Sequence, residues 1–184
     1  MDIEAGSLSS RREVLKLIAG AGGAGVVLLT LKPGVLCAQS LQGDLSILSA
    51  AFYLEREAVA AYQFGMDSKL LLEAQLKYAV AFQSDELYHR DGLAGGIRAL
   101  GGEPTEPNKT FHFGRIKTAL DFMRMIHLLE QDFIRAYSTL AANLQNKGVL
   151  NFAAHILADE VRHLTVWHHE LGIPNYGKHT LFSS

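Results

Sequence analysis

Apolar positions recur at alternating steps of four and three along four long windows of the chain, the period of a helix that buries one face. The first window, from about Asp44 to Met66, places Leu48, Phe52, Glu55, Val59, Tyr62 and Met66 on one stripe. A second, from about Lys69 to Leu100, aligns Leu72, Ala79, Phe82, Glu86, His89 and Leu93, and Gly101-Gly102 end it. The third runs from about Arg115 to Asn146 with Ile116, Met123, Glu130, Phe133 or Ile134, Tyr137 and Leu144 inward. Lys147-Gly148 reads as its stop. The fourth, from about Leu150 to Leu171, aligns Phe152, Ile156, Glu160, His163 or Leu164, and Trp167, with Gly172 and Pro174 closing it. Short connections at Asp67-Ser68-Lys69 and Lys147-Gly148 predict two antiparallel hairpins. Between them, Glu103 to about Gly114 carries Pro104 and Pro107 and reads as a long crossover. The expected fold is an all-α four-helix bundle over residues 41–172, followed by a polar tail, 173–184. Gly95-Gly96, inside the second helix, reads as a point of close helix packing.

The polar members of these stripes are the exception that carries chemistry. Glu86-Leu87-Tyr88-His89 and Glu160-Val161-Arg162-His163 repeat one pattern, Glu-x-x-His, which puts a carboxylate and an imidazole on the same helix face. Each follows a lone glutamate in apolar sequence, Glu55 before the first and Glu130 before the second, by about 30 residues. Unpaired buried carboxylates cost several kcal/mol each, and four together repel unless cations or protons neutralise them. Four carboxylates and two imidazoles from four helices make a hard oxygen and nitrogen donor set suited to two iron or manganese ions, with iron favoured. The expected ligands are Glu55, Glu86, His89, Glu130, Glu160 and His163. Glu57 competes with Glu55, on a stripe with Ala50, Leu54, Ala61 and Phe64, and is read as a surface or supporting carboxylate. His127 could reach the face of Glu130 and is read as standing outside the ligand set. His112, His155, His168, His169 and His179 read as exposed. Tyr62 and Tyr137, one heptad beyond Glu55 and Glu130, read as core tyrosines with hydrogen-bonded hydroxyls.

Composition adds boundaries. The formal net charge of -2 gives no basic footprint for nucleic acid. The first 38 residues differ from the rest: Ser10-Arg11-Arg12-Glu13-Val14-Leu15-Lys16 resembles the twin-arginine export consensus, and a Gly/Ala-rich, weakly apolar run from Leu17 to Leu31 follows. Gly22, Gly23 and Gly25 suit an export signal better than a permanent span. Cleavage after Ala38 is the expectation; an uncleaved signal anchoring the protein in the membrane is the alternative. Cys37 is the sole cysteine, so cleavage would leave a chain without disulfide, iron–sulfur or thiolate chemistry. An exported, periplasmic protein carried by the twin-arginine machinery, with its metal inserted beforehand, is the consistent picture.

At these ligand positions the chain resembles the ferritin-like superfamily of carboxylate-bridged dimetal proteins, over roughly Leu41 to Leu171. That resemblance implies that Glu86 and Glu160 bridge two ions, with Glu55 and His89 completing one shell and Glu130 and His163 the other. It further implies redox activity toward O2 or H2O2 of ferroxidase, peroxidase or catalase type. The different-class alternative is a non-enzymatic metal-binding or stress protein with a structural site. The chain departs from relatives that carry a cysteine-rich rubredoxin module or a fifth helix after Gly172. A homodimer is compatible with this reading.

Overall fold

Four helices, α1 (Pro33–Asp67), α2 (Glu73–Ala99), α3 (Ala119–Ala141) and α4 (Lys147–Glu170), account for the architecture of this computed structural model, which describes residues 33–105 and 110–173. The twin-arginine-like segment, the site of His179 and nearly all of the tail lie outside the described residues, as do the side chains of 33–40. Within the described residues no helix is long and apolar enough to cross a membrane.

α1 pairs with α2 and α3 with α4, and the hairpins meet through α1 on α3 and α2 on α4. Asp44, near the start of α1 and only 2% exposed, accepts from the backbone N–H groups of Gln145 (3.0 Å) and Asn146 (2.8 Å) at the α3–α4 turn. At the opposite end, Gly65 of α1 lies against the ring of Phe122 in α3, so those two helices run antiparallel. The crossover travels the length of α1: Gly102 lies against Leu45, Phe111 against Tyr53 and Phe113 against Phe64. The expected architecture is thereby met.

Several boundaries differ from the sequence reading, each for a local reason. α1 begins at Pro33 instead of near Asp44 and continues unbroken past Ala38; proline suits a first turn, where its missing N–H has no partner to lose. Leu72 is not inward but 67% exposed, standing at the N-terminus of α2 where Gln75 Oε1 accepts from its N–H at 3.1 Å. Lys69 supplies the α1–α2 turn with a left-handed φ of 58°. Thr118 and Asp121 form a reciprocal capping box that starts α3 later than Arg115. Lys147-Gly148 does not stop the third helix. It opens the fourth, because Asn146 Oδ1 accepts from the N–H groups of Gly148 (2.9 Å) and Val149 (3.1 Å). Among the described residues the close packing expected at Gly95-Gly96 is absent: no neighbour comes within 4 Å of where a Gly95 Cβ would stand, and Gly96 makes ordinary contact with Leu48. Within the helices the tight approaches are at Gly65, against Phe122, and at Gly92, against Phe152; Gly102, just past α2, is also close to Leu45.

Candidate metal centre

The helix period delivers one polar group from each stripe to the middle of the bundle. Glu55, Glu86, Glu130, Glu160 and His163 are fully buried and His89 is 1% exposed. Layers of apolar side chains enclose them, among them Leu48, Phe52, Phe82, Ile126, Phe133, Ile156 and Trp167. The six converge as two overlapping groups: Glu55, Glu86, His89 and Glu160 offer donor atoms within 4.8 Å of one another, and so do Glu86, Glu130, Glu160 and His163. Glu86 and Glu160 belong to both. Every expected ligand is therefore in the cluster; Glu57, half-buried, is not part of it.

Both imidazoles turn the same way. His89 Nδ1 lies 3.1 Å from Glu86 Oε2, 3.5 Å from Glu55 Oε2 and 3.7 Å from Glu160 Oε1. His163 Nδ1 lies 3.0 Å from Glu86 Oε1, 3.9 Å from Glu130 Oε1 and 4.0 Å from Glu160 Oε2. Their outer nitrogens bind two aspartates that the sequence reading passed over. His89 Nε2 meets Asp159 Oδ2 and His163 Nε2 meets Asp85 Oδ2, each at 3.2 Å. The contacts cross between helices: each aspartate directly precedes the glutamate of one repeat and serves the imidazole of the other. The repeated Asp-Glu-x-x-His was the available signal. An outer carboxylate of this kind holds the N–H on Nε2 and leaves Nδ1 as the donor facing inward.

Tyr62 Oη donates to Glu130 Oε1 and Tyr137 Oη to Glu55 Oε1, again across hairpins. Trp167 Nε1 donates to Tyr62 Oη at 2.9 Å, so both tyrosines are the hydrogen-bonded core residues expected. His127 stands outside the cluster: it is 8% exposed, and its Nε2 lies 3.2 Å from Nδ1 of His168, which is partly buried by that contact instead of exposed.

The electrostatics identify what such a cluster requires. Burial drives Glu55 up to about 8 against the pull of His89, and lifts Glu130 as well. Glu160 is held well above the usual carboxylate range by burial and by the charges of Glu86 and Glu130. Burial opposes ionisation of Glu86 too, but contacts with His163 and His89 overcome it and bring the group down to about 2. For His89 burial works against the proton, yet Glu55 and Glu86 carry it up to about 11; His163 is raised by Glu86 in the same way. Protons and imidazolium charge thus stand in for cations. They do so incompletely: among the described residues, Glu55 Oε2, Glu130 Oε2 and both oxygens of Glu160 are buried without a hydrogen bond. Orphaned carboxylate oxygens facing two inward imidazole nitrogens fit a pair of hard divalent cations, with Glu86 and Glu160 shared between them.

Comparison with known proteins agrees with this fold. No curated protein matches the chain. Among solved structures, ferritin-like diiron-carboxylate proteins from Bacillus anthracis superpose with a TM-score of 0.61 at 18% identity, covering 72% of this chain and 97% of theirs. The dodecameric thioferritin of Bacteroides fragilis, a bacterioferritin-related protein, gives 0.65 at 18% identity, covering 88% and 93%. The bacterioferritin of Desulfovibrio desulfuricans, whose structure describes a diiron site in different catalytic states, gives 0.61 at 24% identity, covering 78% and 86%. The sequence profile of the ferritin-like domain matches residues 43–172, nearly the whole bundle, and the chain belongs to the ferritin-like domain family.

Proposed function

We propose that this protein is an exported dimetal oxidoreductase that holds two iron ions, or manganese in their place, and acts on O2 or H2O2. The observation that carries the proposal is the pair of overlapping four-donor groups sharing Glu86 and Glu160, whose buried carboxylates include oxygens with no hydrogen-bond partner among the described residues. When bound, two redox-active ions supply the electrons that reduce the oxidant. The chain's own groups do the rest. Glu55 with His89 would hold one ion, and Glu130 with His163 the other. Tyr137 and Tyr62 each engage one oxygen of Glu55 and Glu130, which orients the second oxygen inward. The aromatic wall of Phe82, Tyr62 and Trp167 on the His163 side excludes bulk water and confines the reaction to small oxidants. The relatives named above support iron, since two of them are described as diiron proteins.

Export rests on Ser10-Arg11-Arg12 and the apolar run after it, and places the working protein in the periplasm. Replacing both arginines by lysine should retain the protein in the cytoplasm by cell fractionation. For the activity, anaerobically loaded protein is mixed with O2 or H2O2, and consumption is followed by electrode and by the visible spectrum. Rapid consumption that Glu86→Ala abolishes supports the oxidoreductase. Stoichiometric metal without turnover overturns it in favour of a structural metal site.

A further inference from the structure

Arg162 lies across the seam between α2 and α4, directly outside the two imidazoles. Its Nη2 contacts Asp85 Oδ2 of α2 at 2.8 Å and Asp159 Oδ1 of α4 at 3.0 Å. Those are the same two carboxylates that bind His163 Nε2 and His89 Nε2. One guanidinium therefore joins both aspartate–histidine pairs, and through them both halves of the cluster. The repeat offers no second strap: Tyr88 occupies the equivalent place in the other Glu-x-x-His and is 69% exposed.

Folding stability does not account for this arrangement. The side chain of Arg162 is 53% exposed and its partners 37% and 35%, and exposed ion pairs add little to stability. Geometry accounts for it better. Nη2 alone meets both carboxylates, and the rigid guanidinium plane fixes the directions of its two N–H groups, whereas an ammonium rotates freely as a point charge. Without Arg162, each half-exposed aspartate is free to turn toward water, and the imidazole behind it loses the contact that keeps Nδ1 directed inward.

We infer that Arg162 is a positioning residue that straps Asp85 and Asp159 onto the two imidazoles and thereby governs how fast ions leave the site. The inference rests on the dimetal reading of that site. It predicts that Arg162→Ala releases metal on the order of 10–100-fold faster than the parent, the range over which loss of such outer contacts weakens metal binding. Arg162→Lys, which keeps the charge but loses the fixed plane of donors, falls between the two.

The test uses full-length protein loaded with Co2+ or Zn2+ and mixed with excess chelator, at low and high salt. Release from the parent should accelerate with salt as the strap is screened, while Arg162→Ala should release fast at either ionic strength. On the Zn2+-loaded protein, the Nε2–H protons of both histidines should exchange slowly with water in the parent and rapidly in the variant. Melting of the metal-free proteins should coincide. Equal release rates, or unchanged protection of Nε2–H, overturn the strap while leaving the metal centre standing. A parent that retains no metal overturns both.

Discussion

Replacing Glu55 by glutamine should make the metal-free protein more stable, although Glu55 lies at the centre of the bundle. In the unfolded chain its carboxyl titrates near 4.5; in the fold burial holds it up to about 8. A raised carboxyl binds more protons folded than unfolded, so stability is unaffected below the unfolded value and falls as pH rises toward the folded one. At pH 7 the span is about two and a half units at 1.36 kcal/mol each, or about 3 kcal/mol of destabilisation. Glutamine is of the same size, stays neutral, and still offers Tyr137 an oxygen to donate to. His89 loses its 3.5 Å contact to Glu55, one of the two carboxylates that raise it, and keeps the 3.1 Å contact to Glu86. Glu55→Gln should therefore gain about 3 kcal/mol at pH 7, roughly 6–12 °C in melting temperature for a domain of this size, and almost nothing near pH 4.5. Urea unfolding of chelator-treated protein at both pH values measures it. With metal present the order should reverse, since an amide is the weaker ligand. A metal-free variant no more stable than the parent at pH 7 would refute the reasoning.

Four further outcomes follow from the packing and the charges. Gly65→Ala would place a Cβ 2.2 Å from the fully buried ring of Phe122, itself edge-on to Trp167, and should cost about 1–3 kcal/mol in urea unfolding. Gly92→Ala meets Phe152 as closely, but that ring is half-buried and can swing outward, so its cost should be the smaller of the two. Asp44→Ala should cost about 1–3 kcal/mol in the same assay, by leaving the N–H groups of Gln145 and Asn146 without an acceptor. Metal loading near pH 7 should release protons from Glu55 and His89, whose folded values of about 8 and about 11 keep both protonated without metal. Affinity should accordingly rise with pH from 6 to 8. Titration calorimetry in buffers of different ionisation heat reads the release directly, and identical heats would contradict it.

The six central residues were legible because each breaks an otherwise apolar stripe, and a buried charge on a helix face is hard to explain without partners. Phe133 settles the ambiguity with Ile134, being fully buried while Ile134 is only partly so. Asp85 and Asp159 were not found because they sit off the stripes, half in solvent, where a carboxylate needs no special explanation. Only the contacts of His89 and His163 across helices give them meaning. Helix ends failed for a related reason. Gly148 punctuates a helix in isolation, but the side chain of Asn146 makes that position a start. The Gly95-Gly96 pair drew attention by composition, whereas Gly65 and Gly92, single glycines, face the aromatic rings that press the hairpins together.

The central claim, a two-ion centre built on shared Glu86 and Glu160, is tested most directly by counting metal. Protein purified from its native compartment, and protein reloaded anaerobically with Fe2+, are assayed for bound ions per folded chain by elemental analysis. The account predicts two per chain in the parent and loss of both in the Glu86→Ala, Glu160→Ala double variant, with helix content retained by circular dichroism. Fewer than about one ion per chain in a folded parent would contradict it.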